Sequence, residues 1–177
     1  NITSSSTLTM TPSTSATVSY SYSYTNGTGS GSGSQGCSST SCHTISGLNS
    51  SATVTFTGPT ETDSYGNTAA ATLVVTVDKS VPTIASVTTS SISGSSSNLT
   101  FTPSEAGTYF YLVYAFADSA PSASTIIAQG TSISEGTSSA VSASNVVNMS
   151  GLDENSSYKV YLVVRDSAGN ISAVSTT

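Results

Sequence analysis

The amino-acid sequence predicts an all-β protein that consists of two tandem β-sandwich domains. Ser and Thr account for about 70 of the 177 residues and only 7 % of the residues are charged, and a chain rich in Thr, Val, Tyr and Ser suits pleated strands better than helices. Short segments alternate apolar with polar residues and are separated by turn residues, which is typical of strands. The turn sequence Asp-Ser-x-Gly-Asn starts at Asp63 and again at Asp166, an offset of about 103 residues that indicates tandem domains.

The first domain is predicted from three alternating segments, residues 15–25, 52–58 and 72–78. Their apolar sides are predicted to face inward: Ala16, Val18, Tyr20, Tyr22, Tyr24, Ala52, Val54, Phe56, Leu73, Val75 and Val77. If they were exposed instead, the three tyrosines could stack on sugar rings. Fewer than seven strands are recognisable, so this domain is predicted to be a reduced sandwich or to share a strand with a neighbour.

A Gly/Ser-rich segment, residues 26–43, interrupts the first domain and is predicted to be one long loop. Loops of this length are uncommon and tend to be functional or disordered. Cys37 and Cys42 lie in it, and a disulfide between them would close a tight loop at its far end. Two free thiols or half of a metal site are the alternatives.

The boundary between the domains is predicted near residues 79–82, which gives domains 1–79 and 80–177. A strand ends at Asp78, Pro82 prevents its simple continuation, and a new alternation begins at Ile84. A linker this short predicts a stiff, end-to-end arrangement, since a flexible tether would be longer and richer in Gly.

The second domain shows seven strand candidates, as expected of a β-sandwich. They are residues 83–89, 97–102, 108–117, 124–129, 142–149, 157–165 and 171–176. The clearest is 157–165, in which one face is predicted to belong to the core: Tyr158, Val160, Leu162 and Val164.

Three motifs of this region carry a family resemblance. The spacing from Leu152 to Tyr158 resembles the corner between strands E and F of fibronectin type III domains, which implies a tyrosine whose hydroxyl bonds to upstream backbone. "RDSAGNIS" resembles the F–G turn of such repeats, and "VDKSVPTI" resembles the joint between bacterial immunoglobulin-like repeats. The resemblance implies immunoglobulin-like or fibronectin-III-like sandwiches and says little about function, because a fold does not determine a function. The integrin-binding tripeptide of the family is absent, so integrin binding does not carry over.

Residues 108–117 are apolar on both strand faces, whereas a sandwich strand needs only one apolar face. In this fold strands C and F are neighbours, so the outer residues form one set with two residues of 157–165. This set, the aromatic face, consists of Phe110, Leu112, Tyr114, Phe116, Tyr161 and Val163. It is predicted either to be an exposed partner interface rimmed by Lys159 and Arg165, or to be covered by the segment 118–140.

Asn-x-Ser/Thr sequons are unusually frequent and predict an N-glycosylated surface. They occur at Asn1, Asn26, Asn49, Asn98, Asn148, Asn155 and Asn170. The alternative is that a chain so rich in Ser and Thr accumulates sequons by chance.

The charge pattern argues against nucleic-acid and membrane partners. Lys79, Lys159 and Arg165 are the only strong cations and the net charge is −6, so the chain has little means of following a phosphate backbone or an anionic membrane. No apolar run approaches the ~20 residues of a membrane-spanning helix. No signal peptide is recognised, and the chain is expected to be a mature or excised piece of something longer.

No catalytic, metal or cofactor site is predicted. His43 is the only histidine, and its neighbour Cys42 would point to the opposite face of a strand. Asp63 and Asp166, together with Asp78, could bind Ca²⁺ through oxygen ligands, but we favour turns in which each Asp accepts hydrogen bonds from its own backbone.

These observations together predict a non-catalytic extracellular structural protein, a repeat unit of a cell-surface stalk or filament. Its expected partners are copies of itself or flanking repeats, with covalent glycans on its surface. The alternative is an adhesin that binds glycans or a partner protein through its loops. A weaker third alternative is an accessory domain of a secreted carbohydrate-active enzyme.

Overall fold

The computed structural model describes residues 2–11, 15–24, 30–37, 44–130 and 132–177. The chain divides into two compact units, Asn1–Ser80 and Val81–Thr177, which we call unit 1 and unit 2. These bounds differ by one residue from the predicted domains.

Unit 1 contains seven strands in the described residues, more than the sequence pattern indicated, although three of them are only two residues long. They are β1 (Ile2–Thr3), β2 (Leu8–Thr9), β3 (Ala16–Tyr24), β4 (Ser30–Cys37), β5 (Thr44–Ile45), β6 (Ala52–Thr62) and β7 (Thr68–Val77). One sheet has the order β1-β7-β6-β3-β4, and a small sheet pairs β2 with β5. The core lies on one face of the larger sheet and includes Val18, Leu48, Val54, Phe56 and Val77.

Strand β4 corrects the prediction of one long loop over residues 26–43. Its glycines lie opposite the tyrosines of β3, with Gly31 paired to Tyr22 and Gly33 paired to Tyr20. A Cβ atom on Gly31 would lie 2.5 Å from the Tyr22 ring, so the ring occupies the space that a side chain would need. An aromatic ring laid over a cross-strand glycine replaces the packing that the glycine lacks.

Unit 2 is a sandwich of two antiparallel sheets. Its elements are β8 (Ile84–Ser90), β9 (Ser96–Pro103), β10 (Gly107–Ala115), α1 (Ala123–Ala128), β11 (Ser134–Ala140), β12 (Asn145–Ser150), β13 (Tyr158–Arg165) and β14 (Ser175–Thr176). The sheet orders are β11-β10-β13-β14 and β12-β9-β8. The core between them contains Leu99, Phe101, Val160, Leu162 and Val164, which confirms the predicted inner face of β13.

The segment 124–129, predicted as a strand, is the helix α1. Ser122 caps its N-terminus by accepting a hydrogen bond from the Thr125 backbone N–H, and Gly130 follows its end with φ at +85°. Ile126 and Ile127 are β-branched, which suggested a strand, but with Ala123 they form one apolar side at helical spacing.

The tyrosine corner implied by the Leu152–Tyr158 spacing is present. The Tyr158 hydroxyl accepts a hydrogen bond from the Asp153 backbone N–H at 2.8 Å. Leu152 and Tyr158 both pack against the core between the two sheets, so this bond fixes the loop between β12 and β13 to the sandwich. The sheet orders and this corner confirm the predicted all-β, fibronectin-III-like fold.

Candidate functional surfaces

The helix α1 covers the aromatic face. This is the predicted alternative in which the segment 118–140 packs on these side chains. Phe110, Leu112, Tyr161 and Val163 are at most 7 % exposed and form a second core with Ile126 of the helix. The interface interpretation requires these side chains to be free, so it does not hold for them. Tyr114 is half-buried against the same cluster, and only Phe116, at the end of the face, is largely exposed.

Two cations lie over the rings of this face. The Arg165 guanidinium carbon is 5.1 Å from the centroid of the Phe110 ring, and the Lys159 Nζ is 4.4 Å from that of the Phe116 ring. Contacts at these distances are cation–π interactions. Two of the three strong cations of the chain therefore pack on the protein's own rings.

The two Asp-Ser-x-Gly-Asn segments are twin turns. In the first, Asp63 Oδ1 accepts from the backbone N–H groups of Tyr65 and Asn67 at 2.8 and 3.0 Å, and Oδ2 accepts from the Asn67 side chain at 2.9 Å. Gly66 adopts φ of +86°, a conformation that favours glycine. The Asp63 carboxylate thus accepts hydrogen bonds from its own loop, as the turn interpretation predicts.

In the second turn the Asp166 carboxylate also accepts hydrogen bonds from its own loop. Its Oδ1 accepts from the backbone N–H groups of Ala168, Gly169 and Asn170 at 2.7–2.9 Å, and Oδ2 accepts from the Asn170 side chain at 2.8 Å. The two turns differ in burial, because Asp166 is 7 % exposed whereas Asp63 is on the surface. In the exposed turn, the side-chain hydrogen bond from Asn67, followed by the backbone bonds, lowers the pKa of Asp63 below its ordinary value of 3.8.

Five of the seven sequons fall in the described residues, since Asn1 and Asn26 lie outside them. Three of the five have exposed asparagines: Asn49, Asn148 and Asn155. The other two, Asn98 and Asn170, are half-buried. A glycan attached to an exposed asparagine can project into solvent without disturbing the fold.

Hydrogen bonds distinguish the sequons further. Asn148 lies directly opposite Asn98 in neighbouring strands, and its Nδ2 donates to Asn98 Oδ1 at 3.1 Å. The Nδ2 of Asn170 donates to Asp166 within the second turn. Glycan attachment uses this Nδ2 atom, so these contacts favour Asn49 and Asn155 as glycan positions.

Cys37 ends β4 and is buried in the core of unit 1. Cys42 and His43 lie outside the described residues. The disulfide between Cys37 and Cys42 therefore stays a prediction.

Strand β7 leaves most of one backbone edge unpaired among the described residues. On one side it pairs with β6 along its length, and on the other it meets only β1, at Thr76 and Val77.

A shallow groove lies beside this edge. Leu73 was predicted to face inward, and it does lie on the core side of the sheet, yet it is 48 % exposed. The groove is lined by Leu73, Phe56 and Val75 on the sheet and by Leu8 and Met10 on the chain that crosses it. Alternation predicted this apolar face correctly, but it could not predict that the Leu73 side chain is only partly covered.

Solved structures with a similar fold include a two-domain fibronectin type III segment of chicken tenascin. The identity is 12 % and the TM-score 0.44, and the match covers 97 % of this chain and 95 % of that chain. Domains FN1–FN3 of chicken CNTN1 match with 12 % identity and a TM-score of 0.44, over 93 % of this chain and 53 % of that chain. No protein-family model and no curated protein matches the sequence. Among the described residues, no helix is long and apolar enough to span a membrane.

Proposed function

We propose that this chain is a non-catalytic structural module of an extracellular stalk or filament. The observation that carries the proposal is the division of the chain into two compact β units, because modules repeated in series are the building blocks of stalks and filaments. The surface suits such a role: Ser and Thr hydroxyls replace most charges, so neighbouring modules repel each other little.

The test is electron microscopy of the purified chain over a range of concentrations, together with its surface-derived native form. Filaments or linear oligomers that lengthen with concentration are expected. Isolated modules at every concentration, and in native material, would contradict the structural role.

Covalent modification belongs to the same proposal. N-glycans at Asn49 and Asn155 and a disulfide between Cys37 and Cys42 fit an oxidising exterior. The bare chain has a mass of 17.7 kDa, so the intact mass of native material measures any glycan directly. A native mass equal to that of the bare chain would remove glycosylation from the proposal.

A glycan-binding adhesin is the second candidate, and one feature of unit 2 favours it. Phe116 is 60 % exposed and borders a shallow depression that also contains Asp153, Ser156 and Ser157. An exposed ring beside hydroxyl and carboxylate groups offers an apolar platform and hydrogen-bonding partners for a sugar.

A glycan array separates the two candidates. Selective binding that is lost in Phe116→Ala and kept in Tyr65→Ala would favour the adhesin. Tyr65 is the matched control because it is an exposed aromatic residue of the other unit, 90 % exposed. An array without selective binding would leave the structural role as the better proposal.

A further inference from the structure

The loop between β12 and β13 presents the sequon asparagine Asn155 to solvent. Asn155 is exposed and adopts φ of +59°, a left-handed conformation that asparagine tolerates better than most residues. Among the described residues, no hydrogen bond holds its side chain. Its Nδ2 is therefore available for attachment of a glycan without the loss of an existing contact.

A shallow cleft opens beside Asn155, and Asn155 itself forms part of its wall. The cleft lies between this loop and the loop that joins β8 to β9, and its volume is about 300 Å³. Small-ligand sites span ~300–1,000 Å³, so this one suits one or two sugar rings and not a longer chain. Ile92 and Leu152 form its apolar part, and its other walls include Ser93, Ser96, Asp153, Glu154 and Ser156.

The walls of the cleft are fixed by contacts within the protein. The Leu152 N–H donates to the Ser95 carbonyl at 3.1 Å, which joins the two loops to each other. The Glu154 side chain lies over Gly94, where an added Cβ atom would be 2.5 Å from Oε1. The tyrosine corner holds the same loop to the sandwich. A ligand placed in a preformed cleft costs the protein little conformational freedom.

Ile92 is an apolar side chain that its own unit leaves uncovered. It is 79 % exposed, more than any other large aliphatic side chain among the described residues. A pyranose ring carries C–H groups on its faces and hydroxyls around its rim. A sugar laid on Ile92 would remove apolar surface from water, while its hydroxyls could bond to the serine and carboxylate oxygens of the cleft.

We propose that this cleft holds the first sugars of an N-glycan attached to Asn155, with a pyranose ring packed on Ile92. The inference rests on the glycosylation that belongs to the proposed function, and it names the surface that receives the glycan. Attachment joins Nδ2 to the anomeric carbon of a sugar from an activated glycosyl donor, with loss of one Nδ2 proton and of the donor's leaving group. Asp153 and Glu154 favour a neutral sugar over an acidic one, because like charges repel.

The experiment uses the full chain, secreted by a host that attaches N-glycans, and glycopeptide mass spectrometry measures the occupancy of Asn155. Ser157→Ala removes the sequon and keeps Asn155, so this variant lacks only the glycan at that position. We expect its melting temperature to lie about 3–5 °C below that of the original chain. The same pair of chains from a host without N-glycosylation corrects for the effect of the substitution itself.

Ile92→Ser separates a packed glycan from one that only extends into solvent. The glycan is still attached in this variant but its apolar contact is lost, so the effect of Ser157→Ala should shrink to about 1 °C or less. Val141→Ser is the matched control and should keep the full effect, because Val141 is also a β-branched loop residue of unit 2, is 56 % exposed and does not line the cleft.

A second measurement does not depend on the folding of a variant. In the original glycosylated chain, nuclear Overhauser effects are expected between protons of the first sugars and the Ile92 methyl groups. A glycan without these effects, or one that stabilises the Ile92→Ser chain as much as the original, would overturn the cleft as its site and leave glycosylation standing. A chain that carries no glycan at Asn155 would overturn both glycosylation at this position and the inference.

Discussion

The two units cover their sheets to different extents. In unit 2 the sheet that contains β10 and β13 is buried on both faces, by the opposite sheet and by α1. Among the described residues of unit 1, the five-stranded sheet is covered on one face, by β2, β5 and the adjoining chain with Met10 and Leu48. Leu112 of unit 2 is consequently fully buried, whereas Leu73 of unit 1 is 48 % exposed. The contrast concerns the two sheets, because the β10–β13 sheet buries its central apolar side chains on both faces, whereas the core face of the unit 1 sheet leaves Leu73 half exposed.

The largest expected effect compares these two leucines. Leu112→Ala removes a side chain packed between β13 and α1 and leaves a cavity, at a cost of about 3 kcal/mol in the free energy of unfolding. Leu73→Ala removes a side chain that is half in water and should cost about 1 kcal/mol or less. Hydrogen exchange measured by mass spectrometry reads the stability of each unit separately.

Leu73→Ala is also informative in the assembled state. If a second copy covers the groove, the substitution should weaken assembly more than it weakens unit 1 alone. Equal losses of stability in Leu112→Ala and Leu73→Ala would mean that unit 1 is as well covered as unit 2, and the contrast between the units would fail.

The twin turns give the next comparison. Asp166→Ala leaves the N–H groups of Ala168, Gly169 and Asn170 without their acceptor in a partly buried turn, at an expected cost of about 2 kcal/mol. Asp63→Ala removes the same hydrogen bonds from an exposed turn, where water can replace the carboxylate. Its loss in the free energy of unfolding should therefore be clearly smaller. Thermal unfolding of both variants tests this order, and a larger effect at Asp63 would contradict it.

Local patterns were sufficient to predict most of the fold. Alternation predicted the inner face of β13, and the family resemblance implied a bond from the Tyr158 hydroxyl to upstream backbone, which the structure places at Asp153. One failure arises where two local patterns compete. Ile126 and Ile127 are β-branched and therefore favour a strand. The Ser122 cap and Gly130 are helix start and stop signals, and they outweigh this preference.

The glycine–tyrosine pairs give a third comparison, because both units use them. In unit 2 a Cβ on Gly136 would lie 2.8 Å from the ring of Tyr111, which is 5 % exposed and cannot move aside, so Gly136→Ala should cost about 1–2 kcal/mol. In unit 1 a Cβ on Gly33 would lie equally close to Tyr20, but this ring is only half-buried and can shift. Gly33→Ala should therefore be the milder change.

Gly36→Ala serves as the control, because a Cβ at this position meets nothing within 4 Å. It should be neutral or stabilising by roughly 0.5 kcal/mol, since alanine restricts the unfolded chain. Chemical denaturation of Gly136→Ala, Gly33→Ala and Gly36→Ala measures the free energy of unfolding of each variant. A Gly36→Ala variant as unstable as Gly136→Ala would show that the ring contacts are not the cause.

The exposed features of unit 1 were harder to predict from the sequence than the core was. Local alternation places Leu73 on an apolar face, but its exposure depends on tertiary packing, in which residues far apart in the chain cover the sheet, as in the pair β2 and β5. β4 was missed because its alternation is of Gly with Ser, and its complement, the Tyr ladder of β3, lies in a different segment.

The smallest expected effect is the titration of Asp63. Its folded-state pKa lies below 3.8 because the turn donates hydrogen bonds to the ionised carboxylate, chiefly from the Asn67 side chain. The stabilisation is therefore fully present above the unfolded value and is lost as the pH falls through the folded pKa. Asn67→Ala should raise the midpoint toward 3.8, although the backbone N–H donors of Tyr65 and residue 67 keep it somewhat lowered, whereas Ser64→Ala should leave it unchanged. Carboxyl chemical shifts measured by NMR follow the midpoint directly, and an unchanged midpoint in Asn67→Ala would show that the exposed turn, unlike its buried twin, does not hold its carboxylate.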